Sequence, residues 1–125
     1  CDYFGEVYKQ DLKMELVDFN TFLKVDMRIG AVVRAEIFTQ ARKPALKLWI
    51  DFGSKIGWKK SSAQITDNYS VDTIIGKRVV AVINLPPRQI ASFMSEVLVL
   101  GALSSSGGIT LLNSEKEAKL GERVH

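Results

Sequence analysis

At 125 residues, with 46% apolar and 25% charged side chains, the chain has the size of one domain and the composition of a soluble globule with a real core. No apolar run approaches the roughly 20 residues that span a bilayer, and no signal-peptide pattern is visible. One cysteine and one histidine make neither an internal disulfide nor a metal cluster, and this cysteine usage fits a reducing cytoplasm.

The net charge of +3 conceals a polarised distribution. Residues 1–23 carry two bases and five acids. Residues 24–60 carry nine bases (Lys24, Arg28, Arg34, Arg42, Lys43, Lys47, Lys55, Lys59, Lys60) against three acids, and 61–125 balance at six against six. A positive excess gathered into one third of a chain marks either a polyanion-binding face or a solvated surface.

In chain order, residues 1–19 read as an acidic extension in which Val7, Tyr8, Leu12, Leu16 and Phe19 make a poor helical stripe. "DFNTFLKVD" (18–26) reads as a short helix capped by Asp18 or Asn20. From Met27 the apolar period becomes two. In "MRIGAVVRAEIF" the expected core face is Ile29, Ala31, Val33, Ala35 and Ile37, with Arg34 and Glu36 opposite and Gly30 marking a bend or bulge. "ALKLWIDFG" alternates again, Leu46, Leu48, Ile50 and Phe52 inward and Lys47, Trp49 and Asp51 outward. Gly53 and Gly57 punctuate the turn into "WKKSSAQI", a more polar third strand whose Trp58 is expected in the core. "TDNYSVDTIIG" (66–76) reads as a helix capped by Asp67 or Ser70 and stopped by Gly76, with Val71, Ile74 and Ile75 facing the core. "KRVVAVINL" and "EVLVLGA" are apolar at nearly every position and should be the most buried strands. "SSSGG" is a loop, "ITLLN" a short strand and "SEKEAKLGERVH" a polar tail.

Three strands, a helix and two strands fit an all-β fold. The expected architecture is a five-stranded Greek-key barrel of the OB type over residues 20–125, with a short helix between strands 3 and 4 and terminal extensions. A β-sandwich would want more strands and no helix at that point.

Such barrels hold ligands over strands 2 and 3, between the loops joining strands 1 to 2 and 4 to 5. The first loop, "TQARKP", brings Arg42 and Lys43. The second, "PPRQIASFMS", opens with Pro86 and Pro87, which either preset a path that closes on a partner or form a stiff turn. In it Arg88 offers bidentate donors to phosphate. Phe93 and Met94 offer apolar surface to a base or an unfolded side chain, or else cover the barrel end. Between the loops Lys47, Trp49, Lys60, Ser62 and Gln64 point outward, and Trp49 fits either a stacking platform or a packed position in the core or a dimer. No histidine lies in the body of the chain, and no GxSxG, P-loop or paired-carboxylate pattern occurs. Catalysis is not expected, and no cofactor is implied.

Taken in order, "VDMRIGAVV", "ARKPALKLWIDFG", "SSAQIT", "IGKRVVAVINLPPRQIASFMSEVLVLG" and "LGERVH" resemble the CsaA family. Its members are export-related chaperones built on the tRNA-binding domain, a module also attached to some methionyl-, tyrosyl- and phenylalanyl-tRNA synthetases. The resemblance runs from about Asn20 to His125. It implies an OB fold, a cytoplasmic homodimer whose terminal segments help form the interface, and binding of tRNA and of preproteins or other unfolded peptides. By position it implies Arg34, Arg42, Lys43, Lys47, Asn84, Arg88, Met94 and Ser95 as tRNA-facing, with Ser62 and Gln64 on the same face. Ile90, Phe93 and Met94 are the apolar side chains expected to hold peptide. Two departures stand out: Leu85 occupies a position where the family commonly has phenylalanine, and the acidic extension has no counterpart in shorter members. The expected function is a non-catalytic tRNA-binding dimer with a chaperone role beside it. The alternatives are a dedicated peptide-binding secretion chaperone with incidental RNA affinity, and a structural appendage docking on a synthetase.

Overall fold

Strand β1 (Met27–Ile37) is long enough to serve two partners. Its first half pairs antiparallel with β4 (Arg78–Val82), from Met27 opposite Val82 to Ala31 opposite Arg78. Its second half pairs with β2 (Leu46–Asp51), from Ala31 opposite Asp51 to Ile37 opposite Leu46. A strand that changes partners midway must coil, and two features allow it. Gly30 lies against the interior, where a Cβ would sit 2.5 Å from Ile50 Cγ2 and 2.8 Å from Phe52 Cε1. The register then slips between Val32 and Arg34, a bulge that leaves Val33 out of the ladder.

That bulge corrects the expected face of β1. Gly30, Val32 and Ala35 are the buried positions around it, Ala31 and Val33 are half-buried, and Ile37 is 68% exposed. Ile29 is buried as expected, but outside the main cluster. One extra residue moves a period-two pattern onto the other face. In β2 the alternation holds: Leu46, Leu48 and Ile50 are buried and Lys47, Trp49 and Asp51 are less so.

The structure, a computed structural model, describes residues 14–125; the expectations for Val7, Tyr8 and Leu12 lie outside the described residues. Five strands form one sheet in the order β3-β2-β1-β4-β7, with β3 at Trp58–Ala63 and β7 at Leu98–Val99. The two edges meet along 95–97. There Ser61 Oγ donates to Val97 O (2.9 Å), Ser62 N to Ser95 Oγ (3.0 Å) and Glu96 N to Lys60 O (2.8 Å). This seam nearly closes the sheet into an OB-type barrel around Leu48, Ile50, Phe52, Ile74 and Val79. β3 contributes to this seam two backbone groups, Ser62 N and Lys60 O, and the Ser61 hydroxyl.

Between β3 and β4, helix α2 (Val71–Ile74) plugs the barrel with a fully buried Ile74. Ser70 and Thr73 form its capping box, and Gly76 leaves it at φ 86°. Ile75, expected inward, is exposed, because a single turn aims only one of two adjacent residues at the core. "EVLVLGA" divides its pairing: β7 joins β4, while β8 (Gly101–Leu103) forms a hairpin with β9 (Ile109–Leu111). The polar tail is tied down. Gly121 N donates to Ile29 O and Val124 N to Met27 O, both at 2.8 Å, along β1.

Helix α1 (Phe19–Lys24) is capped by Asp18, whose carboxylate accepts from Thr21 N at 2.7 Å. It buries none of its residues. Its C-terminal end is held from afar, with Arg123 donating to Leu23 O and the Asn84 amide donating to Lys24 O, each at 2.6 Å. Among the described residues no helix is long and apolar enough to cross a membrane.

Candidate nucleic-acid interface

Directly opposed residues of neighbouring strands share a face. The register therefore lays two rows across the outside of β1, β2 and β3: Glu36–Lys47–Ser62 and Arg34–Trp49–Lys60. The same parity places Trp58, opposite Asp51, on this outer face. It is 60% exposed, which corrects the expectation of a core tryptophan. Arg34 spreads its guanidinium over the Trp49 ring, 4.5 Å from the centroid, and pairs with Glu36 beside it.

The break after β4 is a small hairpin of β5 (Arg88–Ile90) and β6 (Phe93–Ser95), folded back over those rows. In its register Arg88 and Ser95 share one face with Ile90 and Phe93, while Gln89 and Met94 take the other. Phe93 enters a second apolar cluster, outside the barrel, with Phe38 and Ala45 and against Trp49 and Ile90. Its ring meets Phe38 edge-on at 5.5 Å and Trp49 at 5.9 Å. Two lysines crowd the same ring: Lys47 Nζ lies 5.3 Å and Lys60 Nζ 5.2 Å from the Phe93 centroid, and Lys47 is also 4.9 Å from that of Phe38. Each such contact is worth about 0.5–1 kcal/mol near the surface.

Beside the hairpin, an open depression of about 570 Å³ runs between the β1–β2 loop and β5, with Arg42, Lys43 and Arg88 on its walls. Basic residues and aromatic rings thus share one face, flanked by two loops. A family model described as "Putative tRNA binding domain" matches residues 27–123, the whole barrel from β1 through β9 and the tail.

The chain belongs to the tRNA-binding domain family. Two solved structures narrow the likeness to its CsaA members. Chaperone CsaA of Bacillus anthracis is 46% identical with a TM-score of 0.82, covering 89% of this chain and 100% of that one. The CsaA chaperone protein of Picrophilus torridus is 44% identical with a TM-score of 0.82, covering 88% and 100%. The methionine–tRNA ligase of Methanococcus vannielii is 34% identical over 117 residues. Those residues are 94% of this chain but 17% of that protein, so the chain spans a small part of the curated relatives it matches.

Within this tRNA-binding domain the expected site residues fall into three places. Arg34, Lys47, Trp49 and Lys60 stand together on the outer face. Arg42, Lys43, Arg88, Ser62 and Gln64 line the depression. Ser95 and Asn84 have local partners. The Ser95 hydroxyl accepts from Ser62 N, and the Asn84 amide spans Lys24 O and Asp26 N. The expected peptide-holding trio is split. Phe93 is 6% exposed and Ile90 half-buried, leaving Met94, at 38%, as its open member. The hairpin's backward fold is the cause, and nothing local in "PPRQIASFMS" announces it. Among the nine bases of 24–60, Arg28 is structural, bonded to Asp26 and to Gly121 O.

Proposed function

We propose that this domain binds tRNA through the outer face of β2 and β3 and the depression beside it, acting by binding alone, as a cytoplasmic homodimer. The observation that carries this is the crowding of Lys47 and Lys60 around the Phe93 ring, with Arg34 stacked on Trp49 in the adjoining position. Cations set over the rings of one sheet face offer a phosphate backbone several contacts at once. With Arg42, Lys43 and Arg88 the face brings six cations, Arg34 among them paired with Glu36, and can neutralise about five phosphates. Affinity for tRNA should then fall roughly 10³-fold between 50 and 200 mM salt. Replacing Lys47 and Lys60 together by alanine should weaken binding and reduce the salt slope by about 2. Filter binding at several salt concentrations measures both. Binding indifferent to salt, or unchanged in the double variant, overturns the proposal.

A companion role as a chaperone for unfolded or pre-secretory proteins is favoured by a separate observation. Met14, Leu16, Val17 and Phe19 expose their apolar side chains, Leu16 at 96%, and the half-open Phe22 and Leu23 follow on α1. That surface suits a second copy of the chain or a client, and the two similar structures are of proteins called chaperones. Suppression of client aggregation, lost in Leu16→Ser with Phe19→Ser while tRNA binding stays, is the supporting result. Failure of the unaltered protein to slow aggregation removes the role. Sedimentation of the same pair of proteins reads the dimer.

A further inference from the structure

The depression beside the hairpin holds a feature that phosphate binding does not need. Gln40 from the β1–β2 loop, Gln64 just after β3 and Gln89 from β5 all line it. These residues are far apart in sequence and come together only because the hairpin folds back. A primary amide attracts no phosphate by charge, but it carries one acceptor oxygen and two donor N–H bonds. Residues of this type on the walls of one cavity suit the edge of a nucleobase, which also mixes donors and acceptors. The Gln89 amide is oriented already, with Nε2 donating to Ala91 O at 3.2 Å.

We infer that this depression takes a single unpaired RNA base, with Arg42, Lys43 and Arg88 on the flanking phosphates. The volume, about 570 Å³, lies in the ordinary range of roughly 300–1,000 Å³ for small-ligand sites. Ile90 and Ala41 supply apolar wall to the base plane. A base inside a helix has its pairing edge occupied, so the three amides can reach it only when it is unpaired. Ala91, on the same wall, is held at φ 52°. A non-glycine residue in that region is strained, and such strain gathers where a ligand is clamped. The inference rests on the tRNA-binding proposal and sharpens it: the outer lysines supply affinity for any RNA, and the amides select an unpaired nucleotide.

The test uses the full chain with two RNAs of equal charge. One is a single strand of about sixteen nucleotides, at the upper end of OB-fold site sizes and equal in charge to a duplex of about eight base pairs, carrying 2-aminopurine as a fluorescent base. The other is a blunt duplex. The unaltered protein should prefer the single strand by on the order of tenfold, the worth of one or two hydrogen bonds, and should change the 2-aminopurine emission. Gln64→Ala with Gln89→Ala should abolish both the preference and the emission change, while the salt slope, set by the cations, falls by less than about 1. Gln40→Ala, on the exposed loop, should lower the preference severalfold without touching the barrel. Equal binding of strand and duplex by the unaltered protein overturns the base site while leaving tRNA binding intact. Full preference in the glutamine variants also overturns it. Failure to bind either RNA or tRNA refutes both proposals together.

Discussion

Strand β2 carries a different apolar cluster on each face. Inward, Leu48 and Ile50 join Phe52, Ile74 and Val79 with essentially no exposed surface. Outward, Trp49 leans on Phe93, which packs with Phe38 and Ala45 beneath a two-stranded hairpin. The inner cluster is closed by hydrogen bonds that join sheet edges. The outer one is topped by the cations of Lys47, Lys60 and Arg34. One strand thus separates the part that holds the fold from the part that presents charge, and each side should fail in its own way.

The largest expected effect is on the inner side. Leu48→Ala leaves a cavity in a fully enclosed site and should cost about 3–5 kcal/mol of unfolding free energy, a large share of a typical 5–15. Urea unfolding measures it, and the fraction that stays folded should bind tRNA normally. Phe93→Ala should cost less stability, about 2 kcal/mol, because the outer cluster is small and near solvent. It should also lower tRNA affinity about tenfold at low salt by removing the ring that positions two ammoniums. If Phe93→Ala loses stability but no affinity, the two clusters are of one kind and the distinction falls.

How much of this could be read in the residues depends on which interaction decides each position. β2 was legible because one face is buried and the other is not, so its alternation survives directly in the sequence. α2 is legible in place rather than extent: Ser70 and Gly76 bracket one turn, Val71–Ile74, inside the expected 66–76. The phase of β1 was hidden by the bulge at Val33 and by Gly30 facing inward. Trp58 was misplaced for want of strand parity, which needs the register to Asp51. The gathering of bases onto one sheet face follows from the charge excess of 24–60 and the strand alternation of β2. Which of its two readings Phe93 takes, the Asn84 tie to residues 24 and 26, and the meeting of three glutamines are not legible. Each depends on contacts between residues distant in sequence, and no local pattern encodes those.

A cation with a fixed partner contrasts with those over the rings. Arg28 donates to both oxygens of Asp26, at 2.6 and 3.2 Å, and Arg123 stands 3.9 Å away. The hydrogen bond from Arg28 is the main cause that holds the Asp26 carboxyl below its ordinary value, with the Arg28 and Arg123 charges helping against desolvation. Because the folded state lowers this value, the stabilisation is present in full above the unfolded carboxylate value, about 4. It is lost as pH falls through the lower folded value. Thermal unfolding should therefore worsen in acid below about pH 4. Asp26→Asn should cost about 1 kcal/mol at neutral pH and remove part of that acid dependence. tRNA affinity at neutral pH should not change, since this cluster ties β1 to the tail rather than facing the groove.

The smallest effect sharpens the contrast furthest. Among the described residues every positive φ belongs to a glycine except that of Ala91, at the tip of the outer hairpin. The barrel itself holds no such residue among those described, so backbone strain sits wholly on the side that presents charge. An L-residue there costs roughly 1–2 kcal/mol, while glycine loses about 0.5–1 through greater freedom in the unfolded chain. Ala91→Gly should then stabilise the domain by less than about 1 kcal/mol, raising the melting temperature by a few degrees. The same change relaxes the wall of the depression, so single-strand preference should drop about twofold while salt-dependent affinity for duplex stays fixed. A gain in stability with the preference intact would mean that the strain serves the hairpin's own turn, and that the outer face is rigid without it.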